Sequence, residues 1–222
     1  MEEAVEFERI VDGAVALQGR PFEQRSCPDQ YVGTLAEIIG QSSFPWRCPV
    51  GQRPAGPCLI LVLESPHNDE FVDAPGPAKG FTGEMIRKYL PDAFDPTGLG
   101  EHGLILLNAI QYQCSLGSST AVYRDRIFRA VWAQGGEENF QARLQTTFRP
   151  GDQVMNCCTK GNDFEINPPL RSLVEVAIRQ VIPGLQTIKR MHPAAWRDPA
   201  WRGRAWRHNE QPVAPFTRPI EQ

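Results

Sequence analysis

Four apolar runs in this chain break off at, or just short of, polar residues, and that pattern constrains the fold more than any other. Cys58-Leu59-Ile60-Leu61-Val62-Leu63 stops at Glu64, and Leu104-Ile105-Leu106-Leu107 stops at Asn108. A weaker run, Gln153-Val154-Met155, precedes the stretch from Cys157 to Gly161, and Leu185-Gln186-Thr187-Ile188 ends near His192. A run that is apolar at every position suits a strand covered on both faces, as in a parallel sheet. Helical periodicity falls between the runs, at residues 82–90, 123–134, 137–147 and 170–181. Two further helices are expected at 2–17 and 32–39, and residues 41–57 read as loop. Alternating strands and helices predict a three-layer α/β/α sandwich around a central parallel sheet of about four strands. We expect one domain over 1–222: a helical part at 1–56, the sheet core at 57–193 and a basic segment at 194–222.

In such sheets ligands bind outside the carboxyl ends of the strands. Glu64, Asn108, the Cys157–Gly161 stretch and His192 therefore converge on one candidate site. A carboxylate after a buried strand can act as general base, cation stabiliser or metal ligand, or simply as a cap or salt-bridge partner. Ser65-Pro66 stiffens the turn that aims it. Asn108 carries both donor and acceptor, which suits reading the edge of an amide-like ring, though an Asn also forms turns. His192, in Met191-His192-Pro193, can donate to a developing oxyanion or serve a structural role. Lys160-Gly161 could approach a phosphate. Walker-type and G-x-G-x-x-G loops are both missing from the sequence, which gives nucleotide-cofactor chemistry no support.

The total charge of −3 conceals a polarity. Seven Lys/Arg against two acids between Lys189 and Arg218 give that segment +5, so the remainder carries −8 of the total −3. Trp196-Arg197, Trp201-Arg202 and Trp206-Arg207 recur within it, with Arg204 between. Arg197, Trp201, Arg202, Arg204 and Arg207 are candidates to contact nucleic acid, by phosphate pairing and base stacking. The competing reading makes the tryptophans core residues with arginines at the rim. The acidic opening Met1-Glu2-Glu3 does not look like a signal peptide, and no run of about 18 apolar residues suggests a membrane span. Six cysteines without a C-x-x-C pair are expected to be free thiols in a cytoplasmic protein, with no metal site.

These residues resemble a known family. Leu61-Val62-Leu63-Glu64-Ser65-Pro66-His67, followed by Gly80-Phe81-Thr82-Gly83, is similar to the first motif of the uracil-DNA glycosylase superfamily. The nearest branch carries Gly-Glu-Ala-Pro-Gly and a later Pro-Phe-Val-Gly. Leu104 to Asn108 resembles that family's strand ending in a base-reading Asn, and Met191-His192-Pro193 the start of its His-Pro-Ser-Pro motif. The likeness spans about residues 57 to 208.

The resemblance implies that Glu64 orients water and stabilises the sugar cation, and that Phe81 stacks on an extruded base. It implies that Asn108 reads the base edge, that Ser65 helps bind substrate, and that His192 stabilises the departing base. Where the family has Gly, this chain has Leu63 and His67, and Ala194-Ala195 replaces Ser-Pro. His67 would lie near a pyrimidine 5-substituent, excluding it or hydrogen-bonding to a polar one. The cysteines do not follow that branch's iron–sulfur spacing, so no cofactor is carried over. The expectation is a monomeric, monofunctional DNA glycosylase acting on uracil or a modified pyrimidine, in repair or in defence against modified phage DNA. No Lys takes a matched catalytic position, with Lys79 and Lys160 as possible exceptions. A non-catalytic nucleic-acid-binding module and a nucleoside or nucleotide hydrolase are the alternatives.

Overall fold

The structure, a computed structural model, describes residues 25–94, 101–115, 123–163 and 167–206, together with Arg9 and Glu23. The helix expected at 2–17 and the candidate Arg207 lie outside the described residues. Six strands form one mixed sheet: β1 (Gln30–Thr34), β2 (Cys48–Pro49), β3 (Cys58–Leu63), β4 (Gly103–Asn108), β5 (Gln153–Asn156) and β6 (Ile188–Lys189). Their order is β2-β1-β4-β3-β5-β6. The helices are α1 (Leu35–Ile38), α2 (Phe81–Ala93), α3 (Arg124–Val131), α4 (Glu137–Thr147) and α5 (Leu170–Val181).

The four apolar runs fall on the parallel strands β4-β3-β5-β6, although the last, at 185–188, meets β6 only at Ile188. The sheet is mixed rather than purely parallel, because β1 runs antiparallel to both β4 and β2. Residues 32–39, expected as a helix, instead leave a strand and enter a single helical turn. Thr34 makes the switch: its side chain caps α1, and Glu37 reaches back to the Thr34 amide. The apolar residues on either side of that corner merge into one helix-like pattern, which conceals the change of direction.

Every residue of β3 and β4 is buried. Alternate positions of β3 feed two separate cores. Cys58, Ile60 and Val62 pack with residues of α3, α4 and α5 such as Phe128, Phe140 and Val174. Leu59, Leu61 and Leu63 pack instead with Ile86 and Leu90 of α2, with Leu35 and with Trp196. This is why the run had to be apolar throughout.

Helix α2 continues through Pro91 to Ala93, although Pro91 was the natural stop in the sequence. Proline cannot donate to the Arg87 carbonyl four residues back, and the Gly40 amide takes that carbonyl instead, at 2.9 Å. Gly83 lies close against the Ala78 carbonyl, where any Cβ would collide. That contact seats the start of α2, and hence Phe81, against the preceding loop.

Beneath the site, Arg53 and Asp152 form a fully buried ion pair at 2.7 Å. Asp152 also accepts the amide of Cys58, at 2.7 Å, and so ties together the starts of β3 and β5.

Candidate functional site

Counted from β3, the chain adds β4 on one side and then crosses to add β5 and β6 on the other. The crossing leaves a crevice beyond the carboxyl ends of β3 and β5, where open α/β sheets bind ligands. Strand registers bring Leu63 beside Asn108 and Val62 beside Asn156. The ladder continues past the strands, with Ile110 donating to the Glu64 carbonyl at 3.0 Å and Cys157 to the Val62 carbonyl at 2.9 Å. The backbone on either side of Glu64 is thereby fixed.

A cleft of about 460 Å³ opens there. Glu64, Ser65, His67, Phe81 and His192 all line it, so five of the residues singled out from the sequence share one cavity. Glu64 is buried, and Thr159 donates a close hydroxyl contact to its Oε2. Ser65 Oγ lies 3.4 Å from Oε1, and Arg124 Nε lies 3.4 Å from the same oxygen. Burial pushes the Glu64 carboxyl above its ordinary pKa, while the Arg124 charge and the Thr159 hydroxyl pull it back towards the ionised form.

His192 precedes the turn Pro193–Arg197, and its Nδ1 accepts the Ala194 amide at 3.3 Å. An Nδ1 that accepts assigns the proton of the neutral ring to Nε2. Burial, helped by the Arg124 charge, lowers the His192 pKa to about 4. His192 is thus a neutral hydrogen-bond donor at neutral pH. Phe81, at the first turn of α2, is 46% exposed; Trp46 and Val72 are exposed elsewhere, and of these three only Phe81 lines the cleft. His67 caps the short turn Asn68–Phe71 through the Asp69 amide.

Asn108 is placed differently from the expectation. It is not among the residues lining the cleft but stands behind Glu70, which does line it. Asn108 Nδ2 lies 3.4 Å from Glu70 Oε2 and 3.6 Å from Cys27 Sγ. Its Oδ1 is buried without a hydrogen-bond partner among the described residues. Lys160 is exposed and does not line the cleft.

The Trp-Arg segment also divides. Trp196 is wholly buried in the core beneath α2, and Trp206 is buried with its indole donating to the Asn156 carbonyl at 3.1 Å. Arg202 donates to the Trp196 carbonyl at 2.8 Å, pairs with Asp92 at 3.0 Å and lies over the Tyr89 ring at 3.7 Å. Arg197 and Arg204 are exposed, the latter over the half-buried Trp201 ring at 4.7 Å.

Sequence reasoning missed Arg124 and Glu70. Arg124 begins α3 yet reaches the strand-end carboxylate from a distance of 60 positions along the chain, and no local pattern announces that. Glu70 had one signal, a carboxylate set directly against Phe71-Val72. None of the six cysteines is in a disulfide, and burial raises the thiols of Cys114, Cys157 and Cys158. No helix among the described residues is long and apolar enough to cross a membrane.

Set against known proteins, the chain matches no family model, no curated protein and no solved structure.

Proposed function

We propose that the protein is a monofunctional DNA glycosylase that hydrolyses the N-glycosidic bond of uracil or a modified pyrimidine, on a three-layer fold of the uracil-DNA glycosylase type. One observation carries the reading: a buried carboxylate, a neutral imidazole donor and an exposed aromatic ring line a single cleft at the strand ends. Glycosidic cleavage develops positive charge on the sugar and negative charge on the leaving base. Glu64, held towards its ionised form by Arg124, suits the first charge and can accept a proton from attacking water. His192 Nε2–H suits the second. Phe81 offers a face to an extruded base, whose unstacking costs a few kcal/mol. The helices on both sides of β3 support the three-layer arrangement. A covalent amine mechanism has little to draw on, since Lys79 is engaged by the carbonyls of Val72 and Ala74.

A second reading, hydrolysis of a free nucleoside or nucleotide, draws on the burial of Trp196 and Trp206 and the internal bonding of Arg202. Those contacts leave Arg197, Arg204 and Trp201 to meet a nucleic acid. One experiment separates the two: incubate the protein with oligonucleotides containing uracil or 5-substituted pyrimidines, and with the matching nucleotides, and identify released base by mass spectrometry. Release from DNA, lost in Glu64→Gln, is the expected result. Cleavage of nucleotides alone selects the second reading, and no release from either discards both.

A further inference from the structure

The cleft holds a second carboxyl that the mechanism above does not use. Glu70 is 4% exposed and lines the same cleft as Glu64. The two carboxyls differ in their surroundings. Glu64 has a guanidinium within 3.4 Å and a hydroxyl donor. Glu70 has instead the Asn108 amide at 3.4 Å and the Cys27 thiol at 3.8 Å, both directed at Oε2. Arg47 acts on Glu70 only at longer range, its own guanidinium being bonded to Gln30 and to the Pro77 carbonyl. On the turn itself, Asp69 and His67 are the neighbouring titratable groups.

We infer that Glu70 is the general acid of this site, reading the N3 edge of a cytosine-type base and delivering a proton to N3 as the base leaves. The inference rests on the glycosylase reading and names its substrate class. Asn108 and Cys27 both donate to Oε2, and the backbone amides of Ala78 and His67 also donate to the carboxyl. The O–H of a neutral carboxyl matches the N3 acceptor of cytosine, whereas N3 of uracil carries a proton and is itself a donor. Cytosine is a poorer anionic leaving group than uracil because its ring N–H is less acidic, so it gains more from protonation.

Burial holds the Glu70 pKa up at about 7, near the optimum for an acid working at neutral pH. Burial raises both carboxyls, and only Glu64 has a guanidinium in contact to favour its ionised form, the kind of difference that an acid and base pair in one site requires. His192, neutral and with a depressed pKa, donates a hydrogen bond but holds no spare proton.

The step balances. The C1′–N1 bond breaks and its electron pair moves into the base, and the Glu70 proton goes to N3, so that the base leaves neutral. The oxygen of water bonds to C1′, and the water proton goes to Glu64. Solvent then returns a proton from Glu64 to Glu70. DNA and water are consumed, and an abasic site and free base are formed.

The test compares single-stranded oligonucleotides carrying uracil, cytosine or 5-hydroxymethylcytosine, with parent, Glu70→Gln and Glu64→Gln proteins. Glutamine keeps a donor and an acceptor at position 70 but cannot give up its proton. Glu70→Gln should cut kcat for the cytosine-type bases by about 10² to 10⁴-fold. The loss should be larger for the cytosine-type bases than for uracil, and a thermal melt of the variant certifies the fold. In the parent, cytosine-type release should fall as pH rises through about 7, and Glu70→Gln should lose that limb. Glu64→Gln should abolish release of all three. Cytosine-type release that survives Glu70→Gln, equal loss for uracil and cytosine, or a parent that releases only uracil each overturns the role of Glu70 and leaves the glycosylase reading standing. A parent that releases no base from any oligonucleotide overturns that reading as well.

Discussion

Arg124 Nε stands 3.4 Å from Glu64 Oε1 and 3.0 Å from Asp125 Oδ1, so one guanidinium is shared between the strand-end carboxylate and its own helix. The same cation helps depress His192. The base role proposed for Glu64 depends on that cation, which opposes the effect of burial.

Arg124→Gln should therefore raise the Glu64 pKa further. The acid limb of the pH–rate profile for uracil release should move to higher pH, with a loss at pH 7 of about 10² to 10⁴-fold. His192 should titrate at higher pH in the same variant, readable by NMR. An acid limb that does not move would refute the electrostatic role given to Arg124.

Glu70 and His192 impose opposite pH dependences on stability. The folded pKa of His192, about 4, lies below its ordinary 6.5, so the unfolded chain binds the extra proton and stability is lost as pH falls from about 6.5 towards 4. The folded pKa of Glu70, about 7, lies above its ordinary 4.5, so the folded chain binds the extra proton and stability is lost as pH rises from about 4.5 to 7. In the parent the two partly cancel. Glu70→Gln should unmask the histidine, gaining up to about 3 kcal/mol relative to the parent between pH 5 and 7. Urea titrations of both proteins at a series of pH values check this, and parallel curves would count against it.

Asp152→Asn should be among the most destabilising single changes in the described chain. Both side chains of the Arg53–Asp152 pair are fully buried, and losing one charge strands the other. A cost of about 3–5 kcal/mol is expected, read as a lower denaturation midpoint. An unchanged midpoint would mean that the pair is dispensable.

Phe81→Ala should leave the fold nearly unaffected because the ring is 46% exposed. Binding of the extruded base should weaken by about 1–3 kcal/mol, the worth of one aromatic stack. The loss should appear in KM or in the affinity for a flipped-base analogue. Loss of stability with binding intact would assign Phe81 to packing.

Arg197→Ala combined with Arg204→Ala should weaken DNA binding and flatten its salt dependence, the slope falling by about 0.9 for each phosphate no longer neutralised. Arg202→Ala should instead lower stability, since its guanidinium is engaged by Trp196, Asp92 and Tyr89. Salt titrations and thermal melts distinguish these outcomes.

Some of this was legible in the residues themselves. Cys58–Leu63, Glu137–Thr147 and Leu170–Val181 could be bounded from sequence because burial on both faces, or an unbroken helical stripe, leaves a strong pattern. The placement of Glu64 and His192 in the cleft was legible because each lies at or just beyond the end of an apolar run. Antiparallel β1 was not, because Tyr31-Val32 and Leu35 to Ile38 form one apolar pattern across a strand–helix corner. The continuation of α2 past Pro91 depends on the distant Gly40 amide. Trp-Arg repetition reads the same whether the ring faces solvent, as is partly so for Trp201, or the core, as for Trp196. Arg124 and Glu70 enter the cleft through tertiary placement alone.

The bonds of Arg202 bear on how the cleft admits its guest. Phe81 begins α2, while Tyr89 and Asp92 lie near its other end and grip Arg202. Arg202 in turn holds the Trp196 carbonyl of the turn that begins beside His192. Arg202 therefore joins the aromatic wall to the imidazole wall on the far side of the cleft, and under the proposed function that link sets the width open to a base.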